Sequence, residues 1–560
     1  MTATHPAVPP VERIVATTEH GMVRGAVVDD LVVFKGIPYG APPIGPLRFR
    51  PPVPPEPWED IRDALEWGPV AAQAADPLEL YSSDPETIVS EAAGMAVPVF
   101  TAEDVLHLNV WTPAVDDTAR PVMVFIHGGA FVVGTASTDY YTGQHLASHD
   151  VVVVTFNYRL GVFGFLELGG LDESYRGSGN NGLRDQIAAL EWVRRNIAGF
   201  GGDPANVTVF GESAGSISIS ALLATEDPKR LFDRVIAQSG GPNLIHTASF
   251  QGLAADEVIE AVDKVGIDDV FNAPGVRLVE AGYVASLTSI FADTLFAPYI
   301  DGELVLGDTY ELLRAGHAAG IPLMAGATQD EMGYWSMYDS QLRNYFVEDT
   351  DFGPPIGFPE ALRPLLDATV APATVDEVYS AWVTEHDPPR GRRDDPTTIV
   401  LTQAHDYVMI QPMTRLVEAQ LDHAPTFLYR FTWKVPAEAL DAPEQDLGAI
   451  HALELSFVFG TDEISAPGGE RLLADADQRR RIDALSASMQ KAWTDFARTG
   501  DPNGEPCDVD APRWPRYDLT RRPTFIWGNR ADGALDVRMV EDPDSTRREA
   551  WSAYAFPPFG

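Results

Sequence analysis

The chain alternates short apolar runs with amphipathic stretches through most of its length. Pro121-Val-Met-Val-Phe-Ile126 and Val151-Val-Val-Val-Thr-Phe156 are almost unbroken apolar runs, the pattern of strands buried on both faces rather than one. Between Gly182 and Gly199 the apolar residues fall instead at Leu183, Ile187, Leu190, Val193 and Ile197. That is a helical period, closed by a glycine. Val207-Thr-Val-Phe210 reads as another buried strand, and the segment from Ser213 to Leu223 as the helix after it. Further strands are predicted at 321–327, 426–433 and 524–527. Strands alternating with helices predict an α/β fold with a large, mostly parallel central sheet flanked by helices.

Gly211-Glu-Ser-Ala-Gly-Ser216 sits at one of these strand-to-helix junctions. A bare G-x-S-x-G carries little weight in a chain with 47 glycines, but a strand before it and a helix after it make it a nucleophile elbow. A serine hydroxyl is a poor nucleophile until a base takes its proton, and the base needs an orienting acid. On such a fold the partners follow in the order acid, then His, on loops after later strands. His317, His386, His405, His423 and His451 are the histidines beyond residue 300, and His451 follows the strand predicted at 426–433. Asp330 and Glu331 lie just past the strand at 321–327, and on pattern alone either can orient an imidazole. Oxyanion donors are expected from Ala214, at the helix N-terminus after the serine. The others should come from the loop His127-Gly128-Gly129-Ala130 that follows the strand at 121–126.

Bulk properties narrow the class. With 560 residues, 45% of them hydrophobic, the chain can form one large domain over 1–560 after a short tail of about 12 residues. Apolar runs stay short of the ~18 residues that span a bilayer, and the N-terminus lacks the basic and apolar regions of a signal peptide. Cys507 is the only cysteine, which excludes an internal disulfide and fits a reducing, cytoplasmic setting. Neither metal-ligand spacing nor a cofactor motif is present, so no metal and no cofactor are expected. A formal net charge of −42 repels a phosphate backbone and argues against nucleic acid as a partner. Lysine occurs only at 35, 229, 264, 434 and 491, the arginine-weighted usage of a GC-rich bacterial genome. Oligomeric state is left open between a monomer and a small homo-oligomer.

Several blocks carry a more specific likeness. FKGIPYGAPPIGPLRF at 34–49, EDVLHLNVW at 103–111, IHGGAF at 126–131 and NYRLGVFGFL at 157–166 occur in order. The long block from Gly179 through GESAGS at 211–216, then HALELSFVFG at 451–460 and WTDFARTGDPN at 493–503, continue the set. Together they resemble the type-B carboxylesterases, the family of cholinesterases and bacterial p-nitrobenzyl esterases, nearly end to end. The resemblance implies an α/β-hydrolase fold and a triad of Ser213, Glu331 and His451, choosing Glu331 over Asp330 and leaving Asp330 a solvated or supporting carboxylate. It implies oxyanion donors at Gly129, Ala130 and Ala214, with Gly128 shaping the turn and His127 structural. Glu212, Glu454 and Ser239 are implied to border the site. Phe131, Phe296 and Trp335 are candidates for a substrate pocket and equally for core.

Two low-pattern segments, about 76–101 and 338–389, are expected to wall or cover the gorge. Val105 stands where extracellular members of the family place a cysteine, paired to one near Ala71, and Met332 where a glycine is common. The implied activity is hydrolysis of neutral, fairly apolar esters, small-molecule substrates, through an acyl-enzyme. Carbamate, amide or lactone hydrolysis and a non-catalytic binding role on the same fold are the alternatives. Non-catalytic members lose a triad residue, whereas all three are present here. Between Ala74 and Glu103 there is no tryptophan, the residue with which cholinesterases hold a quaternary ammonium.

Overall fold

A computed structural model describes residues 12–75, 81–289, 294–334, 402–434, 448–461, 476–504, 512–530, 533–552 and 558. Its strands, in chain order, are β1 (Arg13–Thr18), β2 (Gly21–Val28), β3 (Leu31–Pro38), β4 (Arg62–Asp63), β5 (Gln73–Ala74), β6 (Glu86–Ser90), β7 (Met95–Phe100) and β8 (His107–Thr112). They continue with β9 (Arg120–Ile126), β10 (Val152–Phe156), β11 (Gly202–Glu212), β12 (Arg234–Gln238), β13 (Leu323–Thr328), β14 (Thr426–Thr432), β15 (Pro523–Asn529) and β16 (Leu535–Glu541).

One sheet runs in the order β1-β2-β3-β8-β10-β9-β11-β12-β13-β14-β15-β16, with β4 beside β2. Neighbours from β10 to β15 are parallel, and the antiparallel pairs lie toward the two edges. All seven residues of β9 and all five of β10 are buried, as strands covered on both faces must be. Alternate side chains go to opposite layers. Val122, Val124, Val207 and Val209 pack with Leu183, Leu190 and Trp192 of the helix α1 (Asn181–Asn196) on one face. Met123, Phe125 and Phe210 pack with Met489, Trp493 and Phe496 of a C-terminal helix on the other.

The predicted elements are present with shifted ends. The helix expected over 182–199 is α-helical only to Asn196 and closes as a 3-10 turn at Ile197–Phe200. The strand around 207–210 is longer, because β11 keeps pairing with β9 across a register shift between Gly202 and Val207. In the expected gorge segment, residues 86–100 form the antiparallel pair β6–β7, which β5 extends into a separate small sheet. The segment at 338–389, Trp335 and His386 lie outside the described residues. Among the described residues no helix is long and apolar enough to cross a membrane.

The neighbouring parallel strands β9, β11, β12, β13 and β14 end at one edge of the sheet. That edge, at the carboxyl ends of the strands, is where open α/β sheets place their sites.

Candidate active site

β11 delivers Ser213. The residue has φ 55° and ψ −123°, a backbone region that costs a non-glycine residue on the order of 1–3 kcal/mol and concentrates at functional sites. Its N–H is held by the Gln238 carbonyl at the end of β12, 2.9 Å away, and the helix α2 (Ala214–Leu223) starts at the next residue. Glycine is required at 215 because a β-carbon there would strike the carbonyl oxygen of Ile126 on β9. The elbow is thus wedged against the neighbouring strand, and Ser213 remains half-buried between buried neighbours.

The turn after β13 and the loop before α3 (Leu453–Phe459) bring acid and imidazole together. His451 Nδ1 lies 2.5 Å from Glu331 Oε2, and the Thr328 N–H donates to Glu331 Oε1 at 2.7 Å. Glu331 is fully buried. Burial raises its pKa, but the positive charge available on His451, its hydrogen bond, the Ser239 hydroxyl and the Thr328 N–H outweigh burial. The carboxyl therefore lies below its ordinary value. Ser239, directly after β12, is fully buried beside it.

Asp330 is not the solvated carboxylate that the sequence allowed. It is 6% exposed, its Oδ2 accepts from the Ala449 N–H and its own N–H donates to the Ala449 carbonyl, both at 2.8 Å. Asp330 fastens the His451 loop, and its neighbour Glu331 meets the imidazole. Of the other candidate histidines, His405 is buried near the same turn. Burial holds it neutral, its pKa lowered to about 3 although the Glu331 carboxylate pulls it upward. His317 and His423 bond to the carbonyls of Thr225 and Arg314.

Glu212 lies against the imidazole, and Glu454 belongs to the same buried cluster of glutamates. Glu212 Oε1 is 3.1 Å from His451 Nε2. Glu454, on the first turn of α3 and fully buried, accepts from Gln238 Nε2 at 3.2 Å, while Gln238 Oε1 accepts from Trp493 Nε1 at 3.2 Å. Burial first, then repulsion from Glu212 and Glu331, pushes the Glu454 pKa up to about 8. Near neutral pH Glu454 therefore keeps its proton, and the cluster carries one negative charge fewer than its formal count.

Linkage gives this a sign. The unfolded chain releases the Glu454 proton near pH 4.5 and the fold near 8, so the stability from this group is present below pH 4.5 and is lost as pH rises through 8. Glu454→Gln, uncharged throughout, should leave the melting temperature nearly unchanged at pH 5 and raise it by a few degrees at pH 8.5. Thermal melts across pH 5–9 measure this, and an equal shift at both ends would show that Glu454 is not the titrating group.

The glycine-rich loop at 127–131 follows β9. Gly129 has φ +106°, Ala130 φ 52° and Phe131 φ 62°, three successive residues in the left-handed half of backbone space, where a chain turns sharply. A β-carbon on Gly128 would lie 3.0 Å from Ser213 Cβ and 2.9 Å from Glu212 Oε2, so this loop backs directly onto Ser213. Neither Gly129 nor Ala130 donates its N–H to a protein acceptor among the described residues. Ala214 adds an N–H at the first position of α2, where helix amides have no partner within the helix. His127 stacks on Tyr158 at 4.4 Å and contacts the Gly128 carbonyl through Nδ1 at 2.8 Å. Burial lowers its pKa to about 4, so it is a neutral support.

The pocket aromatics fare differently. Phe131 and Phe296 are each only 2% exposed and belong to the main core, Phe131 packing on Phe165 at 4.7 Å. Among the described residues, Tyr334 places a ring 6.0 Å from His451 and edge-on. Sequence patterning also missed Gln238, Trp493 and Gln73, polar groups whose partners are hundreds of residues or a whole sheet away. Met332 is a fully buried core side chain. Val105 and Ala71 are buried and line one small crevice, with no cysteine at either position.

A serine in a strand–helix elbow, with His and Glu from later strands and a glycine-rich loop behind the serine, defines an α/β-hydrolase of the serine type. The Carboxylesterase family profile matches residues 12–535. The chain is 36% identical over 542 residues to the para-nitrobenzyl esterase of Bacillus subtilis (strain 168), covering 96% of this chain and 98% of that one. To liver carboxylesterase 1 of Oryctolagus cuniculus it is 34% identical over 546 residues, covering 92% and 89%. The crystal structure of the Geobacillus stearothermophilus carboxylesterase EST55 superposes with a TM-score of 0.75 at 34% identity, covering 96% of this chain and 99% of that one. This chain belongs to the carboxylesterase family and is a carboxylic ester hydrolase.

Proposed function

We propose that Ser213, His451 and Glu331 hydrolyse neutral, fairly apolar carboxylic esters through an acyl-enzyme. The observation that carries the reading is the 2.5 Å contact between His451 Nδ1 and the buried Glu331, on the sheet edge that also holds Ser213 in its strained elbow. Ser213 Oγ adds to the ester carbonyl carbon while His451 Nε2 takes its proton. Glu331, ionised because its pKa is held low, offsets the charge that forms on the imidazole. The N–H groups of Gly129, Ala130 and Ala214 receive the oxyanion. Collapse of the tetrahedral adduct expels the alcohol, protonated by His451, and water then repeats the sequence on the acyl group.

The same groups can act on carbamates, amides or lactones. A panel of aryl esters, alkyl esters, carbamates and anilides with graded acyl lengths separates these. Short to medium neutral esters should give the highest kcat/KM and anilides the lowest, and the reverse order would overturn the ester reading. Lack of the cysteine pair at Val105 and near Ala71, in a chain whose single cysteine is Cys507, supports work in a reducing, cytoplasmic setting.

No preference for choline esters is expected. A quaternary ammonium is held best over aromatic faces, worth about 0.5–2 kcal/mol. Tyr81 and Phe100 are the rings between Ala74 and Glu103. They pack on each other at 4.6 Å, Phe100 is buried, and the Tyr81 hydroxyl donates to Gln73. Butyrylthiocholine and an uncharged thioester of matching size should differ in kcat/KM by less than about tenfold, or ~1.4 kcal/mol, at ~0.15 M salt. A hundredfold choline preference would require an aromatic cage elsewhere.

A further inference from the structure

Gln73 stands on β5 of the small sheet, yet its side chain reaches the far end of the oxyanion loop. It is 3% exposed. Its Nε2 donates to the Gly134 carbonyl at 2.9 Å and the Ala71 carbonyl at 3.0 Å, and its Oε1 accepts from the Gly134 N–H at 2.8 Å and the Tyr81 hydroxyl at 3.1 Å. A primary amide offers two donors and two lone pairs, and all are engaged. Gly134 is held through both its N–H and its carbonyl, as a sheet rung would hold it.

That grip is passed on. Gly134 has φ +105°, and a β-carbon on it would lie 2.5 Å from the Gly128 carbonyl oxygen and 2.7 Å from His127 Nδ1. The loop therefore folds back on itself, its closing glycine pressed onto the residue before Gly129. Gly129 in turn accepts from the Val132 and Val133 N–H groups, both at 3.0 Å. Two other fastenings come from the end of β10 in the main sheet. The Tyr158 hydroxyl donates to the His127 carbonyl at 2.9 Å, and Asn157 Oδ1 accepts from the Ala136 N–H at 2.6 Å. Gln73 supplies the fastening from the small sheet, where it pairs with Phe100 on β7.

We propose that Gln73 is a positioning residue for ester hydrolysis, setting where the Gly129 and Ala130 N–H groups meet the oxyanion and tying that position to the seating of the small sheet. The inference rests on the oxyanion role assigned above to those two residues. Donors stabilise an oxyanion at about 2.7–3.1 Å, and a misplacement of ~1 Å costs about 100-fold in rate. An amide suits the task because it meets a peptide group on both edges without burying a charge.

The test compares Gln73→Met, Gln73→Glu and Tyr81→Phe with the parent enzyme, with kcat normalised by active-site titration. Each is also assayed for binding of an aryl trifluoromethyl ketone, whose carbonyl carbon bonds to Ser213 Oγ and whose oxygen becomes the oxyanion. Gln73→Met should lower kcat per site about 10–100-fold with KM within about twofold, and weaken ketone binding by the factor lost from kcat/KM. Binding of the alcohol product, which forms no oxyanion, should stay within about twofold. Gln73→Glu should be no better, since one of its oxygens faces the Gly134 carbonyl.

Tyr81→Phe, which removes a single bond to Gln73, should cost about 2–5-fold in kcat and ketone binding. Should Gln73→Met fail to fold, Tyr81→Phe decides the matter. Unchanged kcat per titrated site in the folded variants, or equal loss of ketone and alcohol binding, would overturn the proposal. A separate outcome tests the reading beneath it. If Gly129→Ala leaves ketone binding intact, the oxyanion assignment fails whatever Gln73 does.

Discussion

Ser213→Ala should lower kcat by roughly 10⁴-fold or more while leaving the melting temperature within a few degrees. The methyl side chain keeps the φ 55° elbow, and the Ser213 N–H bond to Gln238 does not involve the hydroxyl, so the loss reports chemistry rather than folding. His451→Ala should cost a similar factor, and the double variant little more than either alone, because the residues act as one unit. Glu331→Gln should cost less than loss of the serine, since an amide can still occupy the buried site but cannot offset the imidazolium. Asp330→Asn should be mild, because its carbonyl oxygen can still accept from the Ala449 N–H. Steady-state kinetics on one aryl ester, with melts for each variant, decides the assignment. A crippled Asp330→Asn beside a nearly normal Glu331→Gln would overturn the choice of acid.

Gly129→Ala should lower kcat by about 10²–10³-fold, the usual effect of losing an oxyanion donor, equivalent to roughly 3–4 kcal/mol. Two causes act together. At φ +106° an L side chain is strained, and its β-carbon would strike the Val133 carbonyl oxygen. Relief requires the loop to rotate, which carries the Gly129 and Ala130 N–H groups away from the serine. KM should change little, because the ground-state carbonyl uses these donors less than the oxyanion does. A Gly129→Ala enzyme with kcat within a few-fold of the parent would move the oxyanion donors elsewhere.

Much of the fold was legible from local pattern. β9 and β10 are buried on both faces, so their apolar runs are continuous, and α1 shows its period because it covers one layer. The GESAGS elbow was legible for a related reason: its glycines answer to local geometry, the wedge against Ile126, and so leave a mark within a few residues. Glu331 and Asp330 were not separable by spacing. Adjacent residues in a turn point in different directions, and which one meets the imidazole depends on how Ala449 docks against Asp330. Phe131 and Phe296 had the chemistry of pocket walls and of core alike, and both are buried in the main hydrophobic cluster.

What the sequence determined by itself is whatever is encoded over a few residues: strand and helix periods and the strand–helix elbow at Ser213. Tertiary structure decided whatever depends on parallel strands ending at one edge. It brought residues 213, 239, 331 and 451 onto neighbouring loops, buried Glu454 near Glu212 and Glu331 so that it keeps its proton, and set Gln73 of the small sheet against the loop after β9. Hydrogen bonds and charge repulsion act over a few ångströms in space, and positions tens to hundreds of residues apart carry no local pattern from which such contacts can be read.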